Sequence, residues 1–370
     1  MVKKNISLVM IVWFIAAFAG HTHAEKIQTS AYEDVYALGA KAANQAINRL
    51  EGAYKDKTLV ITNASYVRIG GADSSPAIDA IMKVIGATQG KGNLLALHDA
   101  PNKPLFFFFY NAMRDDGLYI EAPAHNSDEG VCKLIDKPFS IDAFEKEFLS
   151  LLKKPETLEQ KVKDRVFGGN EMRLYMITWL WNRGSSMELR NAILFHDHFC
   201  PGVTSGYYIA KYLCNEFPIS KGQSYYIIAS PPYCKDDALQ AILNATVGKR
   251  SMAVIPLTES DTACLSIEAK DAAGLYFRYN RKEKKGNGIV LGFSWDRLRS
   301  DAGSTTGRKP SLADTLRLTQ WMVEHEDVYK NYIRVIKEIP LEVGLTPEDF
   351  ARPGVNPYLK IGLWQEKCSP

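Results

Sequence analysis

Two stretches of this chain share one pattern: residues 234–249 read CKDDALQAILNATVGK, and residues 76–91 read PAIDAIMKVIGATQGK. They align without a gap, with identical residues at six positions. Apolar residues recur at the same helical spacing in both stretches, so both are predicted to bury the same helical face. An internal repeat indicates that one structural unit has been duplicated. The sequence therefore predicts two copies of a unit that contains this helix.

The segments around the two stretches follow one order, which is helix, strand, the repeated helix, and then two strands. Short runs of β-branched or aromatic residues bounded by turn-forming residues indicate the strands. The earlier helix of each copy is predicted at residues 35–50 and 203–217. The strands are predicted at residues 58–62, 93–98 and 105–110 in the first copy, and at residues 224–229, 251–256 and 263–269 in the second. This order predicts an α+β fold.

The rest of the chain is predicted to be mainly helical. Helical spacing covers residues 139–163 and 169–181 between the copies, and residues 311–339 after them. A tail that contains several prolines is predicted to run over the surface from Pro340. The predicted domains are a degenerate copy at 25–134, a helical linker at 135–190, the second copy at 191–300, and a helical C-terminal extension with its tail at 301–370.

Length and composition place the chain among globular proteins. Its 370 residues are 46% hydrophobic and 24% charged, which is enough for a large core and two domains. The net charge of +3 comes from 45 basic and 42 acidic residues that are interspersed. Because no basic run or basic helix with interleaved aromatic residues occurs, nucleic acid is not expected as a partner.

The N-terminus has the pattern of an export signal. Lys3 and Lys4 precede an apolar stretch at residues 6–19. Residues 22–24, which end at Ala24, then place small side chains at the positions that a signal peptidase recognises. The alternative is a membrane anchor, but the stretch is shorter than the roughly 20 residues that span a bilayer. We expect a signal peptide at residues 1–24, a periplasmic or otherwise secreted protein, and no stable membrane span after cleavage.

Six cysteines are too few for a scaffold built from disulfides, although an oxidising compartment permits such bonds. Four of them have no metal-type neighbours in sequence, and they are predicted to be buried free thiols or to form one bridge. Their pairing stays open. These four are Cys132, Cys214, Cys264 and Cys368.

The other two cysteines belong to the densest group of donor side chains. Residues 196–202 read HDHFCPG. If this segment is extended, residues at a spacing of two project to one side, so His196, His198 and Cys200 can converge. Pro201 suits the first position of a helix. Cys200 would then lie beside a helix N-terminus, whose positive dipole favours a thiolate.

Cys234 is also predicted to lie at the start of a helix, after the turn at residues 230–233. Two imidazoles and two thiolates match the nitrogen and sulfur ligands that zinc prefers, although neither a Cys-x-x-Cys nor a His-x-x-x-His pair is present. The alternatives are a structural cluster at a helix start, or a disulfide between the thiols. The predicted ligands of zinc or another transition metal are His196, His198, Cys200 and Cys234.

These motifs resemble the FmdE-like family, which takes its name from formylmethanofuran dehydrogenase. Residues 196–202 are similar to its His-Gly-His-x-Cys-Pro-Gly segment. Residues 234–240 are similar to its Cys-x-x-Asp-Ala-Ile-Gln, and residues 246–249 to its Thr-x-Gly-Lys. The resemblance covers about residues 194–295, and residues 35–111 look like a degenerate second copy. It implies a metal-binding domain and names no reaction.

The chain departs from the family pattern at several positions. Asp197 stands at the family's usual glycine, residues 244–245 are Asn-Ala where Gly-Cys is common, and no cysteine-rich zinc ribbon follows. The first copy has Pro76 at the position of Cys234, so it cannot build the same site. At the positions of His196, His198 and Cys200, the first copy has Thr29, Ala31 and Glu33.

Three classes of function remain open from the sequence. The leading one is an exported metal-binding protein that acts as a carrier or sensor. The second is an enzyme, with an open metal position or with Cys200 as nucleophile, His198 or His196 as base, and Lys249 stabilising an anion. A metal ion or a small molecule is the expected partner, and a dimer is one of the oligomeric states left open.

The third class is a binding module for an oxyanion or a cofactor. Thr246, Gly248 and Lys249 would supply an anion-binding turn. The alternative for these three residues is a helix C-terminus that is closed by glycine and followed by a solvated lysine.

Overall fold

The computed structural model describes residues 31–50, 57–122, 141–304, 311–365 and 368. The predicted signal peptide at 1–24 and Cys132 lie outside these residues. The described chain forms two compact units. Each unit has its own five-stranded mixed sheet, which confirms the predicted α+β class. Among the described residues, no helix combines the length and the apolar character needed to cross a membrane.

The first unit runs to Lys153 and includes Gln160–Thr178. Its strands pair in the order β4-β1-β5-β6-β7, in which only β1 and β4 are parallel. The helices α1 and α2 contribute their apolar faces to one core with β1 and β5. The elements are α1 (residues 31–49), β1 (Thr58–Thr62), β2 (Arg68–Ile69), β3 (Ala72–Asp73), α2 (Pro76–Ile85), β4 (Leu94–Ala96), β5 (Leu105–Asn111), β6 (Asp116–Ala122) and β7 (Ile141–Glu145).

Two helices follow, α3 (Pro155–Asp164) and α4 (Glu171–Arg183), and each contributes residues to both units. The predicted linker at 135–190 is therefore divided between the units. Its predicted helix at 139–163 is wrong at the start, because β7 occupies Ile141–Glu145 and pairs with β6 as the edge of the first sheet. The predicted helix at 169–181 is confirmed by α4.

The second unit has the strand order β9-β8-β10-β11-β12, in which only β8 and β9 are parallel. Its first elements are α5 (Met187–His196), α6 (Pro201–Glu216), β8 (Ser224–Ala229), α7 (Lys235–Leu243), β9 (Met252–Val254), α8 (Glu259–Cys264) and β10 (Ala272–Asn280). The remaining elements are β11 (Lys285–Phe293), α9 (Trp295–Asp301), α10 (Leu312–Glu324), β12 (Ile333–Pro340) and α11 (Pro357–Lys360).

The two sheets have the same pairing order, and one helix contact recurs in both units. A Cβ atom on Gly39 of α1 would lie 2.5 Å from the carbonyl oxygen of Ala77 in α2. The same atom on Gly206 of α6 would collide with the carbonyl oxygen of Lys235 in α7. Ala77 and Lys235 occupy matching positions in the repeat. These equivalences support the predicted duplication.

Two predictions for the second unit are wrong. Residues 263–269 are not a strand, because Thr258 caps α8 in a reciprocal capping box with Asp261, and a short 3-10 helix follows. The helix predicted at 311–339 ends at Glu324, and β12 forms the outer strand of the sheet. Most side chains of β12 are at least partly exposed, so its charged residues resemble the polar side of a helix in sequence.

The C-terminal tail is part of the core, contrary to the prediction of a surface tail. Phe350, Tyr358 and Leu363 are buried in one cluster with β10. A disulfide joins Cys264 to Cys368, with 5.6 Å between the Cα atoms. This bond matches one of the two alternatives left open for these four cysteines, and it ties the tail to α8. Cys214 is free and exposed, so the expectation of a buried thiol is wrong for it.

The close approach of α6 to α7 predicts that Gly206→Ala destabilises the second unit. Alanine favours a helix by about 1 kcal/mol over glycine. Here the added methyl would also lie 2.7 Å from the Cα of Lys235, and overpacking of this kind costs about 3 kcal/mol. Urea unfolding should therefore show a net loss of stability. Gly248→Ala is the control, because a Cβ there meets nothing within 4 Å, and equal stabilities would contradict the prediction.

Candidate metal centre

His196 is the last residue of α5, which begins after Ser186. The Ser186 hydroxyl caps the helix by accepting a hydrogen bond from the Leu189 N–H. The helix ends because Asp197 adopts a left-handed conformation, with φ of 70°. The prediction of an extended segment at 196–200 is therefore wrong at its start.

Asp197 stands where the FmdE-like family usually has glycine, and its left-handed conformation explains why glycine suits this position. A left-handed residue is normally glycine, and aspartate is one of the few residues that tolerate the conformation. Its carboxylate pairs with Nδ1 of His198 at 2.8 Å. The His198 side chain is 43% exposed, and its ring centroid lies 4.2 Å from that of His196. Asp197 therefore ends the helix and also holds His198 at the surface.

Cys200 lies immediately before α6, as predicted, and Pro201 is the first residue of that helix. The Val203 N–H points at the Cys200 sulfur, with 3.5 Å between nitrogen and sulfur. The sulfur thus occupies the capping position that serine or aspartate usually fills, where helix N–H groups favour negative charge.

Cys234 lies immediately before α7, which is also as predicted. A buried ion pair holds the turn that presents it. Lys235 is fully buried and donates both to the Asp236 carboxylate, at 2.7 Å, and to the Pro231 carbonyl, at 3.0 Å. Asp236 accepts in turn from the Tyr233 N–H. Both charges of the pair are thus partnered, as burial requires.

The ends of these three helices bring together one nitrogen and two sulfurs. His196, Cys200 and Cys234 each offer a ligand atom, and these atoms all lie within 4.8 Å of one another. The Cys200 sulfur is 3.8 Å from Nε2 of His196. All three side chains are partly buried. Of the four ligands predicted from the sequence, His198 lies outside this group.

Gly202 allows the two sulfurs to share one space. A Cβ atom at Gly202 would lie 2.8 Å from the Cβ of Cys234, and 3.6 Å from the sulfur of Cys200. Real Cβ atoms do not approach each other that closely. The glycine of the Cys-Pro-Gly segment is therefore needed for α7 to bring Cys234 beside Cys200.

The three groups have strongly altered proton affinities. Burial disfavours charge on the His196 ring, but its bonds to Asp237 and Cys234 outweigh this effect and raise its pKa to about 9. Hydrogen bonding from Cys200 and His196 lowers the pKa of Cys234 to about 4. Hydrogen bonding to Cys234, together with burial, raises the pKa of Cys200. Cys234 therefore carries negative charge more readily than Cys200, contrary to the expectation that Cys200 is the favoured thiolate.

Asp237 is a positioning residue that the sequence analysis did not assign. Its carboxylate lies 2.7 Å from Nδ1 of His196, so Nδ1 carries the proton and Nε2 faces the sulfurs. A carboxylate behind a ligating histidine is a common feature of metal sites. The feature of the sequence that could have identified Asp237 is the Cys-x-x-Asp spacing, which places Cys234 and Asp237 one helical turn apart.

Removal of this carboxylate is expected to weaken metal binding without removing a ligand. We expect Asp237→Asn to raise the dissociation constant for zinc about 10- to 100-fold, the usual effect of losing such a partner. Competition with a chromogenic chelator measures the constant. Asp236→Asn would disturb the Lys235 pair and lower stability, so thermal unfolding of both variants separates the two effects. Unchanged zinc affinity in Asp237→Asn would contradict the role.

The structure does not bring Thr246, Gly248 and Lys249 to this centre. They follow the C-terminal end of α7, whereas Cys234 precedes its N-terminal end, and nine helical residues span about 14 Å. The Lys249 amine donates to the Asn244 side chain. Lys249 therefore lacks the position to stabilise an anion at Cys200.

Comparison with known proteins yields one family match. Residues 195–320 match the family described as FmdE, Molybdenum formylmethanofuran dehydrogenase operon. The matched segment includes all three residues of the centre and extends into α10. It does not include the first unit, so the duplication remains a prediction. No curated protein matches the chain.

Proposed function

Residues 195–320 form an FmdE-family domain, and from that premise we propose that this chain is an exported metal-binding protein. His196, Cys200 and Cys234 would hold the ion, and zinc is the first candidate. The observation that carries the proposal is the convergence of one imidazole and two thiols, drawn from three helix ends, within 4.8 Å.

The donor set suits zinc in chemistry and in size. Zinc takes thiolate and imidazole ligands at about 2.3 Å and 2.0–2.1 Å, so tetrahedral angles separate a sulfur from a nitrogen by about 3.6 Å. The Cys200 sulfur and Nε2 of His196 are 3.8 Å apart. Thiolate ligands also favour zinc and other soft metals over magnesium or calcium. Small side-chain adjustments would therefore complete the site.

A carrier or a sensor must exchange its ion, and two features of the centre favour exchange. Three protein donors leave one tetrahedral position for an outside ligand. His198, with a 43% exposed side chain, lies next to His196 at the surface. His198 would act as an exchangeable fourth ligand or as the residue that first meets the incoming ion.

The number of protein ligands also supports a second candidate, a metal-dependent enzyme. Catalytic zinc sites typically have three protein ligands and one open position, whereas structural sites have four. A bound ion would supply Lewis acidity. Direct catalysis by Cys200 is disfavoured because its pKa is raised, so a nucleophilic thiol at this site would be Cys234.

The test is elemental analysis of the protein purified from its native compartment. We expect about one transition-metal ion per chain, since the described part of the chain offers one such group. A matched sample of His196→Ala should lose the ion while it retains its fold. Absence of metal from the native protein, together with failure of the reduced protein to take up zinc, would overturn the proposal.

Export is proposed from the N-terminal sequence alone. Cleavage after Ala24 predicts that the mature chain begins at Glu25. N-terminal sequencing of the protein from the extracytoplasmic fraction measures this directly. A mature protein that retains Met1 and is recovered from the cytoplasm would remove the export step from the proposal.

A further inference from the structure

We infer that Cys200 and Cys234 form a reversible disulfide that excludes the metal ion, which makes the centre sensitive to the thiol–disulfide state of its surroundings. The exclusion of metal rests on the proposed function. Formation of the disulfide rests only on the geometry of the two thiols and is tested separately below.

Both thiols are free and partly accessible, and their sulfurs lie within 4.8 Å of each other. A disulfide brings two sulfurs to about 2.05 Å, so they must approach by less than about 3 Å. The Cys234 side chain makes no capping bond to α7, so no helix N–H group competes for its sulfur. Gly202 places no side chain against either sulfur. These features favour formation of the bond.

The second unit already contains a disulfide between Cys264 and Cys368. Such bonds persist in oxidising compartments. A second close pair of thiols in the same unit stays reduced there only when something protects it. A bound metal ion would do so, because its ligand thiolates are not free to attack a disulfide.

A small-molecule disulfide such as glutathione disulfide is the oxidant in this reaction. One cysteine attacks it to form a mixed disulfide and releases one small thiol. The other cysteine then displaces the second small thiol and closes the Cys200–Cys234 bond. Two cysteine thiols and one small disulfide thus become one protein disulfide and two small thiols, with two electrons passing to the oxidant. The ion would keep only His196 and would leave.

The experiment exposes full-length protein, metal-free or loaded with zinc, to glutathione mixtures of increasing oxidised fraction. Non-reducing peptide mapping by mass spectrometry identifies the linked cysteines, and a chromogenic chelator reports released zinc. We expect the Cys200–Cys234 link in metal-free protein, and formation at least about tenfold slower with zinc bound. Zinc release should follow link formation one for one. The Cys264–Cys368 peptide serves as an internal reference.

Two variants separate the redox chemistry from metal binding. His196→Ala retains both thiols but lacks one ligand, so zinc should slow its link formation less than it slows that of the wild type, each protein being compared with its own metal-free rate. Cys214→Ser removes an exposed thiol of α6 and should behave like the wild type. Wild-type protein that forms no Cys200–Cys234 link, or that forms it and still retains zinc, overturns the inference. Protein that forms the link but never binds zinc instead overturns the proposed function, and with it the exclusion of metal.

Discussion

Cys200→Ser and Cys234→Ser are each expected to raise the dissociation constant for zinc at least about 100-fold. Loss of a carboxylate that is hydrogen-bonded to a ligating histidine lowers metal affinity by up to about 100-fold. Loss of a sulfur ligand should lower it further, because it removes a direct bond to the ion. Serine fills nearly the same space, so the fold should be retained. Chelator competition on reduced protein measures the constant, and thermal unfolding without metal checks the fold.

The matched control is Cys214→Ser, which replaces the free, exposed thiol on α6. Its zinc affinity should equal that of the wild type.

His198→Ala decides the role of the second histidine. A loss below about tenfold fits an exchangeable ligand, and a loss as large as that of a cysteine variant would restore the four-ligand assignment. Full zinc occupancy in both cysteine variants would contradict the assignment of the centre.

Zinc affinity is expected to rise about 100-fold per pH unit between about pH 6 and 8. In metal-free protein His196 is protonated in this range because its pKa is about 9, and Cys200 keeps its proton because its pKa is raised. Cys234 is already a thiolate. Binding therefore releases about two protons, and each contributes a tenfold change per pH unit. Above about pH 9, His196 is neutral and only the proton of Cys200 remains to be lost.

Calorimetry in buffers of different protonation enthalpy counts the released protons. Asp237→Asn provides the comparison, because loss of the carboxylate partner lowers the pKa of His196 towards its ordinary value. At pH 8 this variant should release fewer protons than the wild type, although Cys234 still raises the pKa of His196. Release of one proton or fewer by the wild type at pH 7 would show that His196 or Cys200 has lost its proton before the metal binds.

The sequence by itself determined the α+β class, the equivalent helices α2 and α7, and the helix starts at Pro201 and Cys234. These features depend on local rules. Apolar spacing predicts the buried face of a helix, and proline at its first position predicts where it begins. The group of donors at residues 196–202 was also visible from the sequence, because the short spacing keeps these side chains near one another in any compact fold.

Only the tertiary structure decided which of these donors converge. His196 and His198 are equivalent by spacing in the sequence. Because the left-handed Asp197 ends α5 between them, the His196 ring lies beside the thiols and the His198 ring lies at the surface. The pairing of Asp237 with His196, and the hydrogen bond between Cys200 and Cys234, join residues that lie more than 30 positions apart. The first contact depends on how α5 packs against α7, and the second on how α6 packs against α7. Both packings are properties of the folded chain.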